Sequence, residues 1–166
     1  MTPRTVVLEL SRLEAMHLAG LITQFADLLE ESSGEPRPTD PAVDRLVPNA
    51  YPDDEEAADE FRSLTQHELL ERRSTDAATV LADLHEVAGL DSDDERPEAL
   101  QEMGVIRLDQ DELQAWLRTL AAVRLVLASR LGIVDENDHD DDDPRFGIYD
   151  WLGYRLEGLV RAADGG

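Results

Sequence analysis

The sequence predicts an all-α protein: a helical bundle carrying one small two-stranded β-ribbon. Three observations point there. Apolar residues recur at helical spacing over several long stretches. A serine, threonine or aspartate followed three residues later by glutamate marks three helix starts, Ser11…Glu14, Thr65…Glu68 and Asp109…Glu112. Two short strand-like stretches, 98 positions apart, each lead into such a start.

Val6 to Leu10 alternates apolar and polar residues, the pattern of a half-buried strand. Ser11 then caps a helix whose apolar face carries Leu18, Leu21, Ile22, Phe25, Leu28 and Leu29. Ser32-Ser33-Gly34 with Pro36 and Pro38 ends it. Asp40-Pro41 opens a short segment, Ala42 to Val47, stopped by Pro48. Asp53 and Asp54 suit the first turn of a helix through Phe61, and Thr65 caps another. That next helix places Leu69, Ala77, Val80, Leu81, Leu84, Val87 and Ala88 on one face, with Gly89 as its stop. Pro97 starts a turn, and Val105 to Leu108 reads as the second strand. Asp109 caps the strongest helix, Gln110 to Leu131, which Gly132 closes. A last helix follows Gly147 and Asp150, with Trp151, Leu152, Leu156, Leu159 and Val160. Leu8-Glu9-Leu10-Ser11 echoes Ile106-Arg107-Leu108-Asp109, so the two strands are expected to pair and tie the first helix to the main one. A lone two-stranded ribbon is marginal and must lean on helices.

The 166 residues suit a single domain over 1–166, with an acidic loop at 135–143 and a disordered tail at 163–166. Aspartate and glutamate number 38 against 15 basic residues, a net charge of −23. All 15 are arginine, which pairs bidentately with carboxylates. So negative a surface repels nucleic acid and anionic membranes, which disfavours direct nucleic-acid contact. No run approaches a membrane span and no signal-peptide pattern opens the chain, so a cytoplasmic location is expected. The absence of cysteine excludes disulfides, thiolate chemistry and cysteine-based zinc sites.

No catalytic constellation is legible. His17, His67, His85 and His139 show no metal spacing, and no nucleophile elbow, phosphate loop or dinucleotide fingerprint occurs. Asp138 to Asp142 alternates oxygen ligands, yet Asp143 and Tyr149 stand where a calcium loop needs glycine and glutamate. It reads as a solvated loop. No metal, cofactor or catalytic residue is therefore expected. Arg124 is the conspicuous residue. It falls on the stripe Leu113, Leu117, Leu120, Leu127 and Leu131 and needs a carboxylate from another helix, or else forms an anion site that Arg130 could join. Tyr51, Phe61 and Arg62 sit in a dense mixture of aromatic and arginine residues, as interface cores do.

Asp40-Pro41, Arg45-Leu46, Pro48-Asn49-Ala50-Tyr51 and Glu60-Phe61-Arg62-x-x-Thr65 form one set of blocks. Trp116-Leu117, Arg124-Leu125, Arg130-Leu131-Gly132-Ile133 and Tyr149-x-Trp151-Leu152-Gly153-Tyr154 form another. In order, over nearly the whole chain, they resemble an actinobacterial family first catalogued as a domain of unknown function and now named for AosR, an oxidative-stress regulator. The resemblance implies a helical cytoplasmic protein in transcriptional control of the stress response, acting on an alternative sigma factor through a cysteine-based switch. Family genes also neighbour the adaptor of the Clp protease. This chain has no cysteine, so a thiol switch cannot operate in it. Thr119-Leu120-Ala121-Ala122-Val123-Arg124 also puts alanine where the family block is polar.

The expectation is a non-enzymatic regulator acting through protein contacts, with a sigma factor or RNA polymerase subunit as partner. The contact residues expected are Tyr51, Phe61, Arg62, Trp116, Arg124, Arg130 and Trp151. An apolar helix face would equally serve a homodimer. The alternatives are a direct DNA-binding regulator, against which the charge argues, and a protein associated with the protease adaptor.

Overall fold

The computed structural model describes residues 5–32, 55–88, 97–132 and 144–165, with side chains over 5–31, 68–88, 97–132 and 146–164. Strand β1 (Val6–Ser11) leads into α1 (Arg12–Ser32). Helix α2 (Glu55–Ala88) follows, then a 3-10 turn (Pro97–Gln101) and β2 (Met103–Leu108). Helices α3 (Gln110–Leu131) and α4 (Pro144–Gly165) complete the described elements. The fold is all-α with one small ribbon, as the periodicities predict.

The ribbon pairs as the sequence echo suggests. β1 and β2 run antiparallel with Val6 opposite Leu108, Leu8 opposite Ile106 and Leu10 opposite Gly104. The inward residues Val6, Leu8, Leu10, Ile106 and Leu108 are buried on the helices, which supplies the support a two-stranded ribbon lacks. Two bonds lock its exit. The Arg12 backbone N–H donates to the Glu102 carbonyl at 2.9 Å. The Arg12 Nε donates to the Ala88 carbonyl at 3.0 Å, so the first residue of α1 satisfies the last carbonyl of α2.

The helix caps behave as their residue types require. The Glu14 N–H donates to Ser11 Oγ at 3.1 Å. The capping box at Asp109 is complete: the Glu112 N–H donates to Asp109 Oδ1 at 2.8 Å, and the Asp109 N–H donates to Glu112 Oε1 at 3.4 Å. Gly132 closes α3 at φ 73°, the left-handed conformation that glycine adopts without a Cβ penalty.

Three boundaries differ from expectation. The sequence predicts a new helix at Thr65, whereas α2 runs unbroken from Glu55 to Ala88. No proline or glycine interrupts that span. Threonines inside it satisfy their hydroxyls by bonding back one turn, Thr75 to the Glu71 carbonyl at 3.1 Å and Thr79 to the Thr75 carbonyl at 3.2 Å. A cap signature acts only where the backbone unwinds. Secondly, α4 starts at Pro144 rather than after Asp150, because proline fits a first helical position and Gly147 is tolerated inside. Thirdly, α4 continues to Gly165, past Ala163, where fraying is expected. The segment Ala42 to Val47, the stop at Gly89 and the acidic loop 135–143 lie outside the described residues.

The helices pack in series: α1 on α2, α2 on α3, α3 on α4, with the ribbon touching α1, α2, α3 and α4. One core unites Leu18, Ile22, Phe25 and Leu29 of α1 with Leu70, Val80 and Leu84 of α2, Trp116 and Leu120 of α3, and Leu152 and Leu159 of α4. No helix among the described residues is long and apolar enough to cross a membrane.

Candidate functional site

The residues singled out by sequence separate into different environments. Tyr51 lies outside the described residues, and Phe61 and Arg62 lie on the backbone of α2 with their side chains outside the description. Trp116 is corrected from contact residue to core: it is fully buried, and its Nε1 donates to Asp83 Oδ2 at 2.9 Å. The misreading comes from the stripe on α3. That helix is covered by α2 on one side and α4 on another, so Leu113, Trp116, Leu120 and Val123 are buried while Leu117 and Arg124 lie to the side.

Arg124 does not find the carboxylate expected of it. Among the described residues none pairs with it; its guanidinium stacks over the Tyr149 ring at 4.0 Å from the centroid. Its Nε is buried without an acceptor. Gly153 makes the stacking possible, since a Cβ there would lie 3.0 Å from the Arg124 Nε. Arg130 is exposed at the edge of a groove between α1 and α3, beside Asp27 and Glu31. Trp151 is half-buried against the core and lies 5.9 Å from the Arg155 guanidinium.

Polar contacts between α2 and α3 are structural. Asp76, buried on α2, accepts from Arg118 Nε at 2.8 Å and Nη2 at 3.2 Å. Its hydrogen bond holds the proton of Arg118 more tightly than usual, while burial lowers the basicity of Arg73 nearby. Lower on the same seam, a hydrogen bond with Asp83 pushes the Glu112 carboxyl above its usual range, with desolvation second. A carboxyl whose folded pKa is raised contributes stability that is complete below the unfolded value and lost as pH rises through the folded one. Glu112→Gln keeps the capping box and donates to Asp83 at every pH. Its melting temperature is expected to exceed that of the parent by on the order of 1–2 °C at neutral pH, the gap closing below about pH 4. A pair of thermal melts at the two pH values checks this.

The exposed apolar residues that are described fall on a few elements. Among the described residues the exposed large hydrophobics are Val7, Leu13, Met16, Met103, Val105, Ile148, Tyr154 and Val160. All lie on the ribbon, α1 or α4; none lies on α3 or among the described side chains of α2, 68–88. Five of the eight line two clefts. One, about 620 Å³, runs between α1 and α4 and is lined by Met16, His17, Leu21, Ile148 and Trp151, with Gly20 and Gly147 leaving its walls low. The other, about 650 Å³, lies between the ribbon and α4 and holds Val7, Met103 and Tyr154. Between them, Arg155 bonds Glu14 at 2.5 Å and the Glu9 carbonyl at 3.3 Å, pinning α4 to α1 and β1. Of the residues chosen from sequence, this face brings in only Trp151. Its strand members are outward positions: Val7 and Val105 occupy the solvent face that alternation assigns to polar residues.

Clefts lined by exposed apolar residues and bordered by paired charges are what interaction sites present. Among the described residues no group of histidine and carboxylate side chains is arranged to hold a metal ion. No curated protein and no solved structure matches the chain. One family does, over residues 1–163, and the chain belongs to it: the family described as Domain of unknown function (DUF2017).

Proposed function

We propose that this chain is a non-enzymatic regulatory protein that works by binding another protein through the face built from the ribbon, α1 and α4. The observation that carries the reading is that, among the described residues, the exposed large hydrophobics all lie on these elements, five of them lining two clefts. The α1–α4 groove at Trp151 has the shape and lining to accept an apolar anchor from a partner. The polar residues at the α2–α3 seam are engaged in holding the helices together, which leaves them poor candidates for chemistry. The resemblance to the AosR family gives the partner class: a sigma factor or an RNA polymerase subunit, in transcriptional control of a stress response in the cytoplasm. Oxidant sensing by thiols has no place in this chain. The net charge of −23 makes direct DNA binding costly.

The test is an affinity pull-down from the cells that make the protein, read by mass spectrometry, with Ile148→Glu as the control that fouls the groove. Recovery of polymerase or sigma subunits, lost in the variant, is expected. Recovery of protease components would redirect the reading to the adaptor. Tight binding to a labelled duplex at physiological salt would overturn it in favour of a DNA-binding regulator.

A further inference from the structure

The ribbon half of the interaction face differs from the rest of this acidic chain in its charge. The cleft between the ribbon and α4 is lined by two carboxylates, Glu9 and Glu157, and two guanidinium groups, Arg155 and Arg161. Arg161 is paired with Glu157 at 2.6 Å. Arg107 stands exposed on the ribbon's outer face, opposite Val7. Val7, Met103 and Tyr154 line this cleft, exposed by 52%, 60% and 71%, and Val105, exposed by 51%, adjoins it on the ribbon's outer face opposite Glu9.

Two copies of a chain with charge −23 repel each other over most approaches. Here the local charge is balanced, and here lie the four most exposed of the described large hydrophobics. A basic partner would be drawn to acidic surface and gains nothing electrostatically from this patch. We propose that the patch seats a second copy of the chain, with Val7, Met103, Val105 and Tyr154 meeting their own counterparts about a two-fold axis. A two-fold contact is self-complementary, and a patch carrying both signs can face its own copy without placing like charges together. This proposal rests on reading the face as an interaction surface, and it leaves the Trp151 groove free for the foreign partner. With only four large apolar residues at its heart, the contact makes a weak dimer, with a dissociation constant on the order of micromolar. Screening the repulsion of the remaining surface strengthens it, so affinity rises with salt.

Sedimentation equilibrium of the full chain tests this, from about 5 to about 200 µM and from about 0.05 to about 0.5 M salt. The expected result is a shift from the 18.5 kDa chain mass towards twice that mass, more complete at high salt. Val105→Glu and, separately, Tyr154→Glu are expected to weaken association by at least about tenfold. Both sites are exposed, and circular dichroism of the dilute variants verifies that they fold. A wild-type mass of 18.5 kDa under all conditions overturns the proposal. So does a dimer that persists in both folded variants, or one that weakens as salt is added. A monomer that still captures its partner through the Trp151 groove overturns the dimer alone. A salt-strengthened dimer that captures nothing supports it while counting against the regulatory reading.

Discussion

Replacing Trp116 by alanine is expected to lower the free energy of unfolding by about 3–5 kcal/mol, the usual cost of emptying a buried tryptophan site. Trp116 is fully buried where α3 meets α2, within the core that also holds Leu84, Leu113 and Leu120. Its removal leaves a cavity bounded by helices that are pinned elsewhere, so the site cannot fully collapse. It also takes the donor from Asp83. Domains of ordinary stability hold about 5–15 kcal/mol, so this change consumes a large part of the margin. Trp116→Phe keeps much of the volume and loses only the hydrogen bond and part of the contact, for about 1–2 kcal/mol. Urea denaturation of the three proteins measures both numbers. An exposed contact residue would behave differently, since surface substitutions fall mostly within about 0.5 kcal/mol. A Trp116→Ala protein of normal stability would return Trp116 to the surface.

Gly104→Ala is expected to destabilise by about 1–3 kcal/mol, as overpacking does. Gly104 lies in β2 opposite Leu10, on the side of the ribbon that rests on α2. A Cβ there would come within 2.9 Å of Val87 Cγ2 and closer still to Cγ1. Neither the strand nor the helix can retreat cheaply. The strand is tied by its ladder to β1, and the end of α2 is held by Arg12. The clash has one partner, so it should be relieved by shrinking that partner. Val87→Ala alone costs packing; combined with Gly104→Ala it should recover most of the loss. A coupling energy of more than about 1 kcal/mol in a double-mutant cycle is expected. Additive effects would show that the ribbon does not lean on Val87.

These two sites illustrate what the sequence could and could not convey. Local grammar was legible. The strand–cap–helix echo located both strands and their pairing, because a cap and an alternation are written in adjacent residues. The bounds of α3 were legible for the same reason, with Asp109 at one end and Gly132 at the other. What depends on neighbours was not. A helix covered on two sides carries no single stripe, so Arg124 looked central and Trp116 looked like a contact. Aromatic residues are enriched in cores and in interfaces alike, and only the packing of α2 and α4 around α3 tells which applies. Arg124 needed a carboxylate by the rule for buried charge and found the face of Tyr149, placed there by a helix that starts six residues earlier than its punctuation suggests. The interaction face escaped because its members come from four elements, β1, α1, β2 and α4, spread from Val7 to Val160. Each residue is unremarked alone: a valine on a strand, a tyrosine on a helix.

The central claim is that the protein meets its partner through the groove that α1 and α4 form at Trp151. Hydrogen–deuterium exchange of the chain alone and bound to the captured partner tests it most directly. Slowed exchange in the peptides covering Met16–Gln24 and Ile148–Trp151 is the predicted result, with the exposed side of α2 unchanged. Protection confined to α2 and α3, with the apolar face exchanging as it does in the free protein, would contradict the account.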